Sequence, residues 1–576
     1  MDLVFDIETD DLKATKVWCI VAQDVDTNEI FKFPPSKLDE GVKLLQSADK
    51  LIGHNIIGFD IPMIQKFFDV DLNDKEILDT LVLSRLFNPT RDGGHSLEKW
   101  GYKLGFNKIE FEDYQNYSAE MLKYCVRDVQ LNTLVLKELK KEAKGFSKDS
   151  VCLEHHIADI MKQQERDGFK FHEMSANLLL AELRESMQSI EDEVHETFQP
   201  RWVDEKLVTP YIRKDGVLSK RGLTDDEYKR CLNTSNYEPF MRKTLQEFNL
   251  GSRKQIGEYL IDFGWKPDRF TPTGQPIVDE KTLSEITHIH EANLIAKFLL
   301  LQKRIAQIES WLEAVQEDGR VHGFVIPNGA ITGRMTHRNP NLAQVPSSSS
   351  PYGKECRSCW VVEEGNKLVG IDASGLELRM LAHYMNDKEF INEIINGDIH
   401  TSNQKLAKLK SRDKAKTFIY ALMYGAGDEK LGKVVGGNTS DGKRARQYFF
   451  DNKPEFKSLR DRVQRAAAKK YLKGLDGRKL YIRNNHAALN TLLQGAGAIV
   501  MKKALSLLDS LLKLNTVDYK FVANIHDEWQ VEVRESQADF VGLRAVEAII
   551  EAGEHFNLRC PLDGEYKVGD NWSETH

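Results

Sequence analysis

The sequence predicts a multidomain chain in which an α/β domain is followed by helical and α+β regions. Three observations carry that expectation. At 576 residues the chain is too long for one hydrophobic core. Residues 1–145 alternate short apolar strands with helical patterns, as α/β domains do. Beyond residue 320 strands return around a helical block covering about 388–472, the segregated pattern of an α+β region.

Taken in order, LVFDIET, WCIVAQDV, IFKFP and KLIGHNI read as the first strands, and SAEMLKYCVRDVQLNTLVLKELKKEAK as a long helix. Residues 150–318 are mostly helical, ending in an amphipathic run from Glu291 to Glu317. Within them 201–245 is polar and broken by Gly, Pro and Asn, which predicts a subdomain or a flexible insert. RVHGFVIP, KLVGIDA, KFVANI and WQVEVRE are the later strands, and no repeat or low-complexity tract interrupts them.

Composition excludes several classes. Hydrophobic residues make up 41% and charged residues 29%, with no apolar run of membrane-spanning length. The N-terminus enters a strand directly, with no secretory or transit pattern. Seven scattered cysteines argue for a reducing compartment, hence a cytoplasmic protein. Cys356 and Cys359 form a CxxC without a second ligand pair, so zinc is not expected there. The net charge is −8, yet the segment Lys457–Arg483 holds ten basic residues against two acidic ones, a density that suits phosphates or a solvated helix face.

Two constellations carry chemistry. In VFDIETD, Asp6 and Glu8 lie two apart on a strand and therefore side by side, an arrangement that needs protons or cations to neutralise it. Asp60 in GHNIIGFDIPMI starts a helical segment, and Tyr124 and Asp128 share a helix face. Four carboxylates can hold two divalent ions, with the tyrosine orienting a water. A donor set of hard oxygens favours Mg2+ or Mn2+ over zinc. In the second constellation KLVGIDASGLELR is a strand ending at Asp372, followed by a helix near Glu377. KFVANIHDEWQVEVRE places His526, Asp527 and Glu528 at a hairpin tip. If these strands pair, Asp372 and Asp527 meet at one sheet edge, the minimal requirement for two-metal phosphoryl transfer. Between them Arg412, Lys416 and Tyr420 follow at steps of four, with Tyr424 one turn later and His400 nearby in GDIHT. Cations followed by rings suit a triphosphate followed by a base.

The first set, DIE…NxxxFD…YxxxD, resembles the DEDD-type 3′–5′ exonucleases of the tyrosine subgroup. The second resembles motifs A, B and C of family A DNA polymerases, the class of bacterial DNA polymerase I. TGRMTHRNPNLAQVP, GLDGRK and NHAALNTLLQGAGA extend that match. DASGLELR, GDIHT and YGAGDEK are similar to the replicative polymerases of T-odd-type podophages in particular. The resemblance implies an RNase H-like exonuclease domain (1–148) followed by a right-hand polymerase. Its thumb would be 149–318, with a reduced processivity insert near 201–245. Palm and fingers would be 319–576, the fingers about 388–485. It implies that Asp372, Asp527 and the carbonyl of Ala373 hold one pair of Mg2+ ions, and that Asp6, Glu8, Asp60 and Asp128 hold another, with Mn2+ able to substitute. Glu377 would crowd the sugar 2′ position. His400, Arg412 and Lys416 would bind triphosphate, Tyr420 would pack on the nucleotide, and Tyr424 and Gly425 would border the templating base. Arg334, Gln494 and His526 would contact primer–template DNA, and Glu528 would support the site. Tyr at position 420 implies tolerance of dideoxynucleotides. The implied partners are DNA, dNTPs and a helicase-primase, in the cytoplasm of an infected bacterium. Host thioredoxin, a clamp in phage relatives through a long basic insert, is less supported because 201–245 is short and modestly basic. An RNA-synthesising relative, a nuclease that only holds DNA through its second half, and a non-enzymatic DNA scaffold are the rival readings.

Overall fold

A computed structural model describes residues 1–72 and 74–576. The chain divides into two compact units, one of Met1–His172 with Ala314–His576 and one of Glu173–Glu313.

The first unit begins with a five-stranded sheet of Asp2–Thr9, Val17–Asp24, Ile30–Phe33, Lys50–Gly53 and Glu76–Asp79, in spatial order 3-2-1-4-5. The first strand pairs antiparallel with the second and parallel with the fourth, the RNase H-like arrangement. Alternation explains why it is buried on both sides. Leu3, Phe5 and Ile7 pack with Ile20, Leu45 and Leu51, while Val4 turns to the other face against Met121, Cys125 and Val129 of the helix Ala119–Glu142. The strand Glu76–Asp79 is invisible in the sequence because it is a short edge strand of mixed polarity that runs straight into a helix.

A second sheet has four antiparallel strands in the order Tyr519–Ile525, Glu528–Arg534, Asn366–Ala373 and Gly564–Gly569. The helices Ala488–Leu514 and Ala538–His555 share its hydrophobic core. Residues 388–466 form a succession of helices, as the sequence predicts. The hairpin differs in one respect: only His526 and Asp527 lie in the turn, and Glu528 is the first paired residue of the next strand, opposite Ile525 and Asp372.

The helix Lys148–Asp167 packs against the strand Glu76–Asp79 of the first sheet and the strand Tyr519–Ile525 of the second. Its Glu154, fully buried, accepts from Arg478 at 2.5 Å and from Lys502 at 2.7 Å. Arg478 also pairs with Asp476 at 2.6 Å. One arginine of the basic run is therefore a core residue and contributes nothing to a phosphate-binding surface.

The second unit contains the long helices Glu173–Thr197 and His290–Ala314. Residues 201–245 are ordered: Arg201–Val208 and Phe240–Gln246 pair as an antiparallel ribbon, with the helix Asp225–Thr234 between them. A cluster of Phe198, Phe248 and Tyr259 anchors the ribbon's base. Among the described residues no helix is long and apolar enough to cross a membrane. All seven cysteines are free, Cys356 and Cys359 both buried.

Candidate active sites

The sheet pairing builds the first site. Asp372 is the last residue but one of its strand, opposite Glu528, and the Ala373 N–H donates to the Asp527 carbonyl at 3.1 Å, so strand end and hairpin turn are locked together. His526 takes φ +59° to make that turn. Burial, and then the charges of Asp527 and Glu528, push the Asp372 carboxyl up to about 7. Burial also raises Asp527. Glu528 goes the other way: burial raises it, but His576, Arg357 and Trp572 outweigh that and hold it below the usual range. Its two oxygens are taken by Trp572 Nε1 at 2.5 Å and His576 Nδ1 at 3.0 Å, which makes it a support and leaves Asp372 and Asp527 as the pair wanting a cation.

Glu377 stands beside them on the helix Leu376–Met385. Arg334 donates to one of its oxygens at 2.9 Å and the Tyr424 hydroxyl to the other at 2.6 Å. Arg334, Glu377, Gln494, Lys502, His526 and Asp527 line one cleft. Lys502 was not a sequence candidate, since nothing in QGAGAIVMKK marks it.

The helix Arg412–Met423 buries Ala415, Phe418, Ile419 and Leu422 and turns Arg412, Lys416 and Tyr420 the other way. Tyr420 lies 6.4 Å from His400 and 6.3 Å from Tyr424. The Arg412 Nε donates to Asp398 at 2.6 Å, and Asp398 also caps the helix Ile399–Leu406. Asp398 was readable as an N-cap in GDIHT. His400 Nδ1 is buried with no hydrogen-bond partner among the described residues, and burial, then Arg412 and Lys416, lower its pKa. Gly425, at φ +77°, ends this segment, and a Cβ there would lie 2.4 Å from the His486 carbonyl oxygen.

The second site is the one the opening strand announces. Asp6 and Glu8 share a sheet face, and the Ile7 N–H donates to Asp60 Oδ1 at 3.1 Å, which brings the helix start against the strand. The Asp6 carboxyl is held far above its ordinary value by burial, then by Asp60, Glu8 and Asp128. Glu8 is pushed up to about 9 by burial and then Cys19, and Asp60 to about 7 by burial. The four carboxylates thus lie in one cluster. Tyr124 packs against Phe111 and Tyr114 beside them. Two members were missed. Lys108 bridges Asp128 at 2.5 Å and lies 4.7 Å above the Tyr124 ring, on a loop without a sequence signal. Cys125, between Tyr124 and Asp128, offers a sulfur beside Asp6 and Glu8. Asp128 Oδ1 remains buried without a partner. Raised carboxyls and an orphaned oxygen in one pocket fit a divalent cation.

The family description "DNA polymerase family A" matches residues 224–574. The DNA-directed DNA polymerase of Enterobacteria phage T3 is 35% identical over 703 aligned residues, covering 100% of both chains. That of Escherichia phage T7 is 34% identical over 703 aligned residues, again covering 100% of both. Both alignments are longer than the 576 residues of this chain, so those relatives carry segments it lacks. In fold, the chain is similar to the POL domain of Pol1 from M. smegmatis in complex with DNA primer-template and dNTP. The TM-score is 0.79 at 18% identity, covering 100% of this chain and 95% of that one. With the strand pairing, the cleft and these matches in agreement, the chain belongs to DNA polymerase family A.

Proposed function

We infer that this DNA-directed DNA polymerase works through two separate carboxylate centres, one that extends a primer 3′ end with dNTPs and one that removes mispaired ends by 3′–5′ hydrolysis. The observation that carries the inference is that both acid clusters assemble in a single fold, each with carboxyls that burial and mutual repulsion hold above their ordinary values. Residues 1–148 would then be the exonuclease domain. The helices within 149–318 would form the thumb and 319–576 the palm and fingers, with the sheet of Asp372 as palm. Replication in an infected bacterial cell, beside a helicase-primase, is the setting that fits.

Family A polymerases use divalent cations. Here Asp372, Asp527 and Ala373 would hold Mg2+ or Mn2+ in one site and Asp6, Glu8, Asp60 and Asp128 in the other. Bound there, such ions supply neutralisation of the charge that develops on the phosphoryl oxygens. The protein's own residues do the rest. Arg412, Lys416 and His400 bind the triphosphate, and Tyr420 packs on the nucleotide. Glu377, pinned by Arg334 and Tyr424, fills the space a ribose 2′-hydroxyl would need. Arg334, Gln494 and His526 contact the primer end through the shared cleft. Tyr424 and Gly425 border the templating base. In the exonuclease site Tyr124 orients water and Lys108 holds Asp128.

The test is a pair of variants assayed for both reactions. Asp372→Ala abolishes extension and spares 3′ hydrolysis, whereas Asp6→Ala does the reverse. Equal damage to both reactions by either variant overturns the two-centre assignment. The ribbon at 201–246 is short and carries both charges, so product lengths under a single-encounter trap should be the same with and without host thioredoxin. Longer products only with thioredoxin would make the ribbon a clamp site.

A further inference from the structure

We propose that the Asp6–Glu8 centre contains a sulfur ligand, Cys125, and binds a borderline-soft divalent ion such as Zn2+ through a mixed sulfur–oxygen set. The proposal rests on reading this centre as a cation site. It goes beyond that reading, because an exonuclease centre of four carboxylates needs no thiol.

The geometry is specific. Asp6, Glu8 and Cys125 each present a ligand atom, and these atoms lie within 4.8 Å of one another. The Cys125 Sγ is 3.7 Å from Asp6 Oδ2. Zinc bonds of about 2.3 Å to sulfur and about 2.0 Å to oxygen, at a tetrahedral angle, span roughly 3.5 Å between the two donors. An ion therefore bridges sulfur and carboxylate with little movement of either. A second thiol stands beside the first. Cys19 is the cross-strand partner of Glu8, so it faces the same side of the sheet, and it lies in the same buried cluster as Cys125. The buried, unpartnered Asp128 Oδ1 belongs to the same cluster of acids.

Folding explains how the thiol arrives. Met121, Cys125 and Val129 recur at steps of four along the helix Ala119–Glu142 and lie on the sheet face that carries Val4, Asp6 and Glu8. Packing alone would account for a small apolar residue at 125, as it does for Val129. It does not account for a sulfur directed at a carboxylate and also 3.5 Å from the Asp6 carbonyl oxygen.

Thiolate donors select zinc-like ions over Mg2+, and Zn2+ outranks the hard ions for any mixed set. On binding, the Cys125 S–H bond breaks heterolytically. The proton leaves to solvent and the sulfur lone pair forms the bond to the ion, with no electron transfer. The centre then has two exclusive occupants, a hard ion held by oxygens alone and a softer one drawn down onto the thiol.

The test uses the full chain, stripped of metal, with the exposed Cys152 replaced (Cys152→Ser) to remove a surface thiol. Cd2+ is the probe, read by its thiolate charge-transfer absorption in the ultraviolet. A saturable band is expected that Mg2+ displaces in excess and that Cys356→Ser leaves in place. Cys125→Ser, Cys125→Ala or Asp6→Asn should weaken Cd2+ binding roughly 10- to 100-fold. A band that persists unchanged in a folded Cys125 variant, or is indifferent to Asp6→Asn, overturns the proposal. A second measurement needs no variant. X-ray absorption of the wild-type chain with one equivalent of Zn2+ should show a sulfur neighbour at about 2.3 Å, and an all-oxygen shell refutes it. Failure of the exonuclease reading is separate, since it appears as Mg2+-supported 3′ hydrolysis that survives Asp6→Ala.

Discussion

At the scale of single residues, Glu377 shows how a side chain gains a role through its anchors. Free, a glutamate on a helix start would sample several rotamers and leave room for a 2′-hydroxyl. Tied to Arg334 and Tyr424 it is fixed in one place. Glu377→Ala should raise the ratio of rNTP to dNTP incorporation by about 10- to 100-fold, measured by single-turnover insertion of rCTP against dCTP. An unchanged ratio would remove Glu377 from sugar selection. His54 makes a different point. It is half-buried, its Nδ1 lies 2.9 Å from Thr80 Oγ1, and desolvation of the ring lowers its pKa to about 4. Its lowered basicity contributes stability that is fully present above the unfolded value of about 6.5 and is lost as pH falls toward about 4. The loss is on the order of 3 kcal/mol. Urea unfolding at pH 7 and pH 4.5 should show that drop in the wild type and a smaller one in His54→Gln. The identities of both residues are plain in the sequence; their anchors come from segments 26 to 47 positions away.

At the scale of elements, the sequence patterns translate well where one face is buried. The helix Arg412–Met423 reads correctly because Ala415, Phe418, Ile419 and Leu422 define its core side and leave the cations on the other. The turn that follows it depends on one residue. Gly425→Ala would need a left-handed φ and would drive a methyl into the His486 carbonyl. It should cost about 1–3 kcal/mol in stability and raise the apparent KM for dNTPs, as Tyr424 shifts with the backbone. Thermal melting and steady-state insertion would show both effects, and normal values for both would mean the turn tolerates the change. The edge strand Glu76–Asp79 and the ribbon at 201–246 were poorly legible for a common reason. Short or exposed strands lack a continuous apolar face, and partner strands decide their pairing.

At the scale of the whole molecule, the network of Glu154, Arg478 and Lys502 joins the helix Lys148–Asp167 to the polymerase part of its unit. Each group is buried, so removing one leaves a buried charge without its partner. Glu154→Gln should lower unfolding free energy by about 3–5 kcal/mol, because it leaves two cations buried against a neutral amide. Chemical denaturation would check it, and a cost below about 1 kcal/mol would mean that Asp476 and Asn328 suffice. In the sequence Arg478 lies in a basic stretch that suits either phosphates or a solvated helix face. The fold instead encloses it, since its guanidinium is flanked by two carboxylates, Asp476 two residues before it and Glu154 from a distant helix.

The sequence by itself determined the classes of element, the two acid clusters and the family, because those depend on residue type at short, regular spacing. Periods of two and of three to four place Asp6 beside Glu8, Tyr124 beside Asp128 and Arg412 beside Lys416 whatever the rest of the chain does. Only the tertiary structure decided which distant groups share a site. Lys108 against Asp128, Cys125 against Asp6, Tyr424 against Glu377 and Arg478 in the core are all consequences of which faces pack together. Such contacts arise from burial of whole elements. The polar atoms that burial carries inward must then find partners there, and no local spacing encodes which ones they meet.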